Sequence, residues 1–307
     1  MSISMDMRNV KNANYLQVNE EIKRIMGRKG IEVLSSSEAW KKYKWSRKYY
    51  KKKPKNGFFV WVKRDSPYPI TTCVRIQGKD VKQQLNNLVV LEEGVKSRAV
   101  TVCGSSLISS GLHTAGGKIV LKEGAVLEIM NLHSWSPKIN VHLKYEYVLE
   151  KNSKVIYNFK MIRTPNTFTS SLKFVLKENS TLREKTIIDN KMNSKVVRNL
   201  KIILEGENSD AISRLRAVGR DSSTLISNAS AVGKNYSKAH LDCQGLIIGK
   251  NAKMKLIPAL FIKDKRALLT HEASIGRIAG EQLDYLRTRG LSEDEAIELI
   301  VSGFLKI

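Results

Sequence analysis

Cysteine is scarce in this 307-residue sequence: Cys73, Cys103 and Cys243 are all there are, and no two form a CxxC pair. That excludes a disulfide framework and a zinc knuckle, and it fits a reducing compartment. Acidic side chains are also few, 29 against 53 Lys and Arg, which leaves a net charge of +24. No apolar run reaches the ~20 residues of a bilayer-crossing helix. The N-terminus, with Asp6, Arg8 and Lys11 among polar residues, lacks the apolar centre of a signal peptide. A cytoplasmic protein with no membrane partner is expected.

Two nucleotide and metal motifs fail on inspection. "GLIIGKN" has three residues between Gly245 and Gly249 and then Asn251, where a phosphate loop needs four and a Ser or Thr. His271-Glu272 opens like the zinc helix HExxH, but position 275 is Ile, so the second histidine ligand is missing.

What the sequence does have is a repeat. Between about residues 70 and 262, apolar stretches alternate with Gly or Asn beside small or charged residues. "VVLEEGVKSRAV", "IVLKEGAVLEIM", "YVLEKNSKVIYNF", "FVLKENSTLREKT", "IILEGENSDAISR" and "SAVGKNYSKAHL" align on Gly94, Gly124, Asn152, Asn179, Asn208 and Asn235, in steps of 30, 28, 27, 29 and 27. A staggered series, "AVGRDSSTLISN" and "LIIGKNAKMKLI", places Ser222 and Asn251 29 apart. Short Val/Ile/Leu strands broken by residues that tolerate a left-handed corner predict a parallel β-helix with one coil per repeat. The competing reading of the same pattern is an antiparallel sandwich.

A solenoid needs caps on its unpaired edges, and both flanks supply candidates. Residues 1–69 form a basic, partly helical region with 17 basic and 6 acidic side chains. Within it "SSSEAWKKYKWSRKYYKKKP" reads as a Ser-capped helix with Glu38 in the first turn and Pro54 beyond its end. Residues 70–270 are the β-helix core and 271–307 a helical module. There Ile275, Ile278, Ala279, Leu283 and Leu286 recur near helical spacing until Gly290. Ser292 and Glu295 then open a second helix whose apolar face is Ala296, Ile297, Ile300, Val301 and Phe304.

The run from Lys41 to Lys55 holds nine Lys or Arg, four aromatics and no acid. Such a run suits a nucleic-acid-binding solenoid; the alternative is a solvated helix face whose Trp and Tyr dock on the β body. Cys73 and Cys103 lie 30 apart, one coil, and are expected to stack inside as small hydrophobes. Cys243 and His271 lie 28 apart. On adjacent rungs they would come within about 5–7 Å, with Glu272 leaving the strand on the opposite face from His271. Thiolate with imidazole suits iron, an iron–sulfur cluster or zinc.

"HLDCQGLIIGKNAKMKLIPAL" followed by "THEASIGRIAGEQLDYLRTRGLSEDEAIELIVSGF" resembles the C-terminal signature of the SufB/SufD family of the SUF iron–sulfur cluster assembly system. The match is close over residues 236–304. The resemblance implies a β-helix between helical ends, two such chains paired through their C-terminal coils, and a SufC-like soluble ABC ATPase on the C-terminal helices. Gln282, Leu283, Leu286, Arg289, Gly290, Ala296, Ile297, Ile300 and Phe304 would form that dock. It implies a non-enzymatic scaffold that carries a transient iron–sulfur cluster and delivers it to apo-proteins. Cys243, His271 and Glu272 would be its SufB-like metal ligands, lying where the last coil ends. The chain lacks the long N-terminal part of SufB and its cysteines, and resembles the compact archaeal-type version; homodimer and heterodimer both stay open. The two rivals are the nucleic-acid-binding solenoid and a β-helix carbohydrate-active enzyme, the latter opposed by a middle region poor in the paired carboxylates it needs.

Overall fold

The computed structural model describes residues 12–306; Asp6, Arg8 and Lys11 lie outside them. Two long sheets run the length of the molecule and share its strands alternately. One, of ten strands, takes every second strand from Ile70–Ile76 to Leu268–Arg277; the other, of nine, takes the strands between, from Phe58–Val62 to Lys253–Ile262. Each turn of the chain therefore lays one strand on each sheet, giving a parallel β-solenoid of about eight turns, not a sandwich.

The alternation of side chains builds the core. In Thr181–Asn190 every second residue is buried, Leu182, Glu184, Thr186 and Ile188 among them, and parallel register stacks each on its counterpart one coil away. Tyr147 and Phe174, partners in register, stack with ring centroids 4.6 Å apart.

The corners follow the repeat. Gly94, Gly124, Asn152, Asn179 and Asn208 all adopt positive φ, between 53° and 69°. Glycine has no Cβ to clash there, and Asn tolerates the same region. Each donates its backbone N–H to a carbonyl of the next coil, as Asn152 does to Glu178 O at 2.9 Å. Asn235 departs from the series: it holds its corner through its side chain, whose Nδ2 donates to Glu205 O at 2.6 Å. In the staggered series the left-handed residues are Met192 and Asp221, one place before the alignment on Ser222.

The two ends differ. At the N-terminal end each sheet closes on an antiparallel strand, Glu21–Met26 on Ala13–Val18 and Ile31–Ser35 on Phe58–Val62. Both sheets pass through residue 70 unbroken, since Ala13–Val18 pairs in parallel with Ile70–Ile76. Among the described residues, helix in this region is confined to α1 (Ser36–Lys42), whose Ser cap is Ser35 and forms a capping box with Glu38, and a 3-10 turn at Lys44–Tyr49. The aromatics of the basic run pack inward: Trp45 lies 5.0 Å from Trp61 and 5.9 Å from Phe59, over Leu88 and Val90. Its lysines face water, so the run is a docked cap with a solvated face.

At the C-terminal end the last strands, Lys253–Ile262 and Leu268–Arg277, each have a neighbour on one side only. α2 (Gly280–Thr288) and α3 (Glu293–Leu305) follow, α3 opened by the Ser292–Glu295 capping box. Ile275, read from its spacing as helical, belongs to the last strand.

Candidate functional site at the open end

The last coil is half-covered. Met254, Leu256 and Leu260 point inward yet are only partly buried, while inward residues of earlier coils, such as Leu200 and Leu204, are fully so. Phe261, Ile262, Leu268 and Ile275 are exposed around this end. A contiguous apolar rim with two free strand edges is what an interface in waiting looks like.

Cys243 sits in Ser237–Ile247 and His271 in the neighbouring Leu268–Arg277. The chain between these two strands runs 30 residues per turn, because Lys238 pairs with Leu268, where the preceding turn takes 28, Ser209 to Ser237. Cys243 therefore faces Ala273 directly, and His271 faces Leu241. The extra two residues preserve the face, since strand side chains alternate with period two. Cys243 and His271 both lie on the inward side, offset by two positions on adjacent strands, about 8 Å between Cα atoms. Cys243 is buried and His271, on the uncovered rung, is exposed. His271 and Glu272 stand in the middle of the last strand, not at its end.

Beneath Cys243 lies a buried ion pair that sequence spacing did not single out. Arg198 Nη2 donates to Glu184 Oε2 at 2.9 Å, both side chains almost wholly enclosed. Ser213 Oγ adds a donor to the same oxygen at 2.5 Å, and Thr186 Oγ1 donates to the other. Burial raises the Cys243 thiol pKa; Arg198 and Arg216 pull it down while Glu184 and Asp242 push it up. The inward parity of Glu184 and Arg198, charged residues at positions that alternate with outward ones along their strands, was the signal available for finding them.

Glu272 points to the outer face, in register with Asp242. Asp242 is held by Arg216 through both oxygens at 2.7 Å. Glu272 lies instead 3.9 Å from Nε2 of His240, a residue not picked out from the sequence. The proposed ligands are thus divided, Cys243 with His271 inward and Glu272 with His240 outward, and among the described residues no three His, Cys, Asp or Glu converge.

The C-terminal helices use part of their apolar surface on the solenoid itself. Ala296 and Val301 are buried, and Ile297, Ile300 and Phe304 pack with Val301 against Val218 and Leu246. Arg220 ties α3 down, its guanidinium reaching Asp189 at 2.8 Å and Glu298. Gln282, Arg289 and Gly290 remain exposed and Leu283 and Leu286 half-buried. Tyr285 and Leu299, both largely exposed, join them on the free surface.

Cys73 and Cys103 do not stack: Val74 is the register partner of Cys103, so the two thiols leave opposite faces of their sheet. Cys103 lines an interior cavity of ≈ 70 Å³ that extends to Arg198. Burial holds its thiol pKa well above the usual range.

Taken together, these observations define a parallel β-solenoid capped at one end and open and apolar at the other, with a buried thiol on the penultimate strand and an exposed imidazole on the last. The profile described as "SUF system FeS cluster assembly, SufBD core domain" matches residues 74–304, and the chain belongs to that family. It is 28% identical over 301 residues to an iron-sulfur cluster assembly SufBD family protein of Methanothermobacter thermautotrophicus, covering 90% of this chain and 73% of the relative. A SufBD family protein of Archaeoglobus fulgidus is 29% identical over 95% of this chain and 84% of its own. The iron-sulfur cluster assembly protein SufB of Bacillus subtilis is 24% identical over 81% of this chain and 55% of its own. No helix among the described residues is long and apolar enough to cross a membrane.

Proposed function

We propose, starting from the role in iron–sulfur cluster assembly that membership of the SufBD family implies, that this chain is a non-enzymatic, cytoplasmic scaffold subunit that holds a nascent cluster at its open end, across a seam with a second SufB/SufD-like chain. The observation that carries this is the placement of Cys243 and His271 on the inward side of adjacent strands, two positions apart in register, one buried and one exposed, inside a rim of Phe261, Ile262, Leu268 and Ile275. A thiolate and an imidazole from one chain leave ligand positions open. A second chain closing the end completes the coordination and shields the apolar rim. Incomplete ligation by either chain alone suits cargo that must leave for an apo-protein.

A SufC-like soluble ABC ATPase is the proposed partner of α2 and α3. Because Ala296 is buried and Ile297, Ile300 and Phe304 pack on the solenoid, the docking surface is Gln282, Leu283, Tyr285, Leu286, Arg289, Gly290 and Leu299. Co-expression with such an ATPase, followed by sizing, tests the scaffold reading: an assembly with two copies of each chain is expected. Absence of any complex, with steeply salt-dependent DNA binding, would favour the nucleic-acid-binding solenoid instead.

A further inference from the structure

The capped end carries charge that the protein does not neutralise itself. Along the coils several lysines meet a carboxylate one turn away: Glu146 takes Lys118 at 2.9 Å and Lys173 at 2.8 Å, and Glu205 takes Lys177 at 2.7 Å and Lys234 at 3.0 Å. In the run from Lys41 to Lys55 all nine basic residues are exposed. Two of them are engaged, Lys42 with Glu32 at 2.7 Å and Arg47, whose Nε donates to the Trp40 carbonyl at 3.0 Å. The other seven, Lys44, Lys48 and Lys51 among them, form no ion pair among the described residues. The acids beside them are already taken: Glu32 also by Lys63, and Glu38 by the Ser35 cap. Two half-buried rings sit within this field, Trp40 and Tyr49. The Arg47 guanidinium lies 5.7 Å from the Trp40 centroid, and the Lys48 ammonium 5.1 Å from that of Tyr49.

We propose that this face is a docking surface for a second protein, one that presents clustered Asp and Glu around an apolar side chain. Charge complementarity sets the sign of the partner: a field of unpaired lysines speeds the approach of an acidic surface and disfavours a basic one. The rings set its class. A nucleic-acid base would have to displace Arg47 or Lys48 to stack on Trp40 or Tyr49, and base stacking is what single-strand binders use. Half-exposed aromatics inside a charged rim are instead the anatomy of a protein interface, with the ring as anchor and the charges around it. The rings are held in place before any partner arrives, since Trp40 meets Tyr50 at 5.8 Å and Tyr49 meets Trp45 at 6.3 Å, both edge-on. This surface belongs to the closed end of the solenoid, away from Cys243 and His271, so an acidic protein can dock there while the open end is occupied. The proposal stands on the cap alone and does not need the scaffold reading.

The test is fluorescence anisotropy of the full chain with a labelled glutamate-rich peptide carrying leucine at every fourth position, run beside a labelled DNA duplex. Lys44→Glu, Lys48→Glu and Lys51→Glu together weaken peptide binding by about tenfold or more. Lys82→Glu, Lys160→Glu and Lys195→Glu together, the same change in net charge on three separate coil strands, weaken it by about twofold or less. Tyr49→Ala, which alters no charge, weakens the peptide by about threefold or more and leaves the duplex unchanged. Peptide binding falls as salt rises through about 0.1–0.3 M. Should circular dichroism show that the reversed cap has lost its fold, the same three positions as Gln replace it. The proposal is overturned if the wild-type chain does not bind the peptide below about 0.1 M salt, or if the cap and coil variants lose affinity equally, which would make the effect one of net charge. It is also overturned if Tyr49→Ala titrates like wild type, or if the cap variant weakens the duplex as much as the peptide, which would give the face to nucleic acid.

Discussion

Replacing Glu184 by Leu removes a carboxylate that takes hydrogen bonds from Arg198, Ser213 and Thr186 inside the solenoid. Arg198 is then left with Ser227 Oγ at 3.3 Å and Ser213 Oγ at 3.4 Å, near the outer limit of a hydrogen bond, and its Nε already lacks a partner. An uncompensated guanidinium at this depth costs about 3–5 kcal/mol. Arg198→Met alone strands the carboxylate and costs a similar amount. The double variant buries no charge and returns to within about 2 kcal/mol of wild type, because hydrophobic replacement of a buried pair is often neutral or stabilising. Urea unfolding followed by circular dichroism, arranged as a double-mutant cycle, measures the coupling. If the double variant loses as much as the two single variants added together, the pair is not coupled and the buried-charge reasoning fails.

Other consequences can be checked more briefly. Cys243→Ser lowers the iron and sulfide retained after anaerobic reconstitution without unfolding the chain; equal retention removes Cys243 from the site. Burial first, and then Glu184 against the opposing arginines, set the raised Cys243 pKa, so Glu184→Gln lowers it and speeds alkylation by iodoacetamide at pH 8; an unchanged rate shows that the carboxylate does not reach the thiol. Burial raises the Glu32 pKa, but hydrogen bonds from Lys42, Lys63 and Tyr43 outweigh it and hold the group at about 2. The stability from Glu32 is thus full above its unfolded pKa, near 4.3, and lost as pH falls toward 2. Glu32→Gln should flatten acid unfolding across that window, and a parallel pH profile would count against it. Tyr285→Ala combined with Leu299→Glu abolishes co-purification with a soluble ABC ATPase while leaving thermal unfolding in place; retained co-purification puts the dock elsewhere.

Much of the coil architecture was legible because Gly94, Gly124, Asn152, Asn179 and Asn208 stand where the backbone must turn left-handed, and that requirement recurs once per coil. The Ser292–Glu295 capping box was equally readable, as was the Ser cap of α1 with Glu38 in its first turn, since such residues satisfy helix N–H groups locally. Ile275 misled because Ile275 and Ile278 are three apart, a spacing that fits a helix; its pairing with Gly245 one coil away is a long-range fact. The site was half visible. A 28-residue spacing brought Cys243 and His271 to neighbouring strands, but the corner of residues 248–252 and the loop of residues 263–267 each add one residue to the last turn, and together they slide the register by two. An odd insertion would have put them on opposite faces. His240 became apparent only with that register, because its partners Thr270 and Glu272 are 30 and 32 residues away. Buried polar groups such as Glu184 and Arg198 break the apolar alternation only at single positions, a faint mark in a lysine-rich sequence.

Pulsed EPR of the reconstituted, reduced cluster in protein carrying ¹⁵N-labelled histidine addresses the open-end site most directly. A nitrogen coupling that disappears in His271→Ala and persists in His240→Ala is the predicted result. A cluster with no histidine coupling, or one whose signal is unchanged by His271→Ala, would contradict ligation on the inward rung.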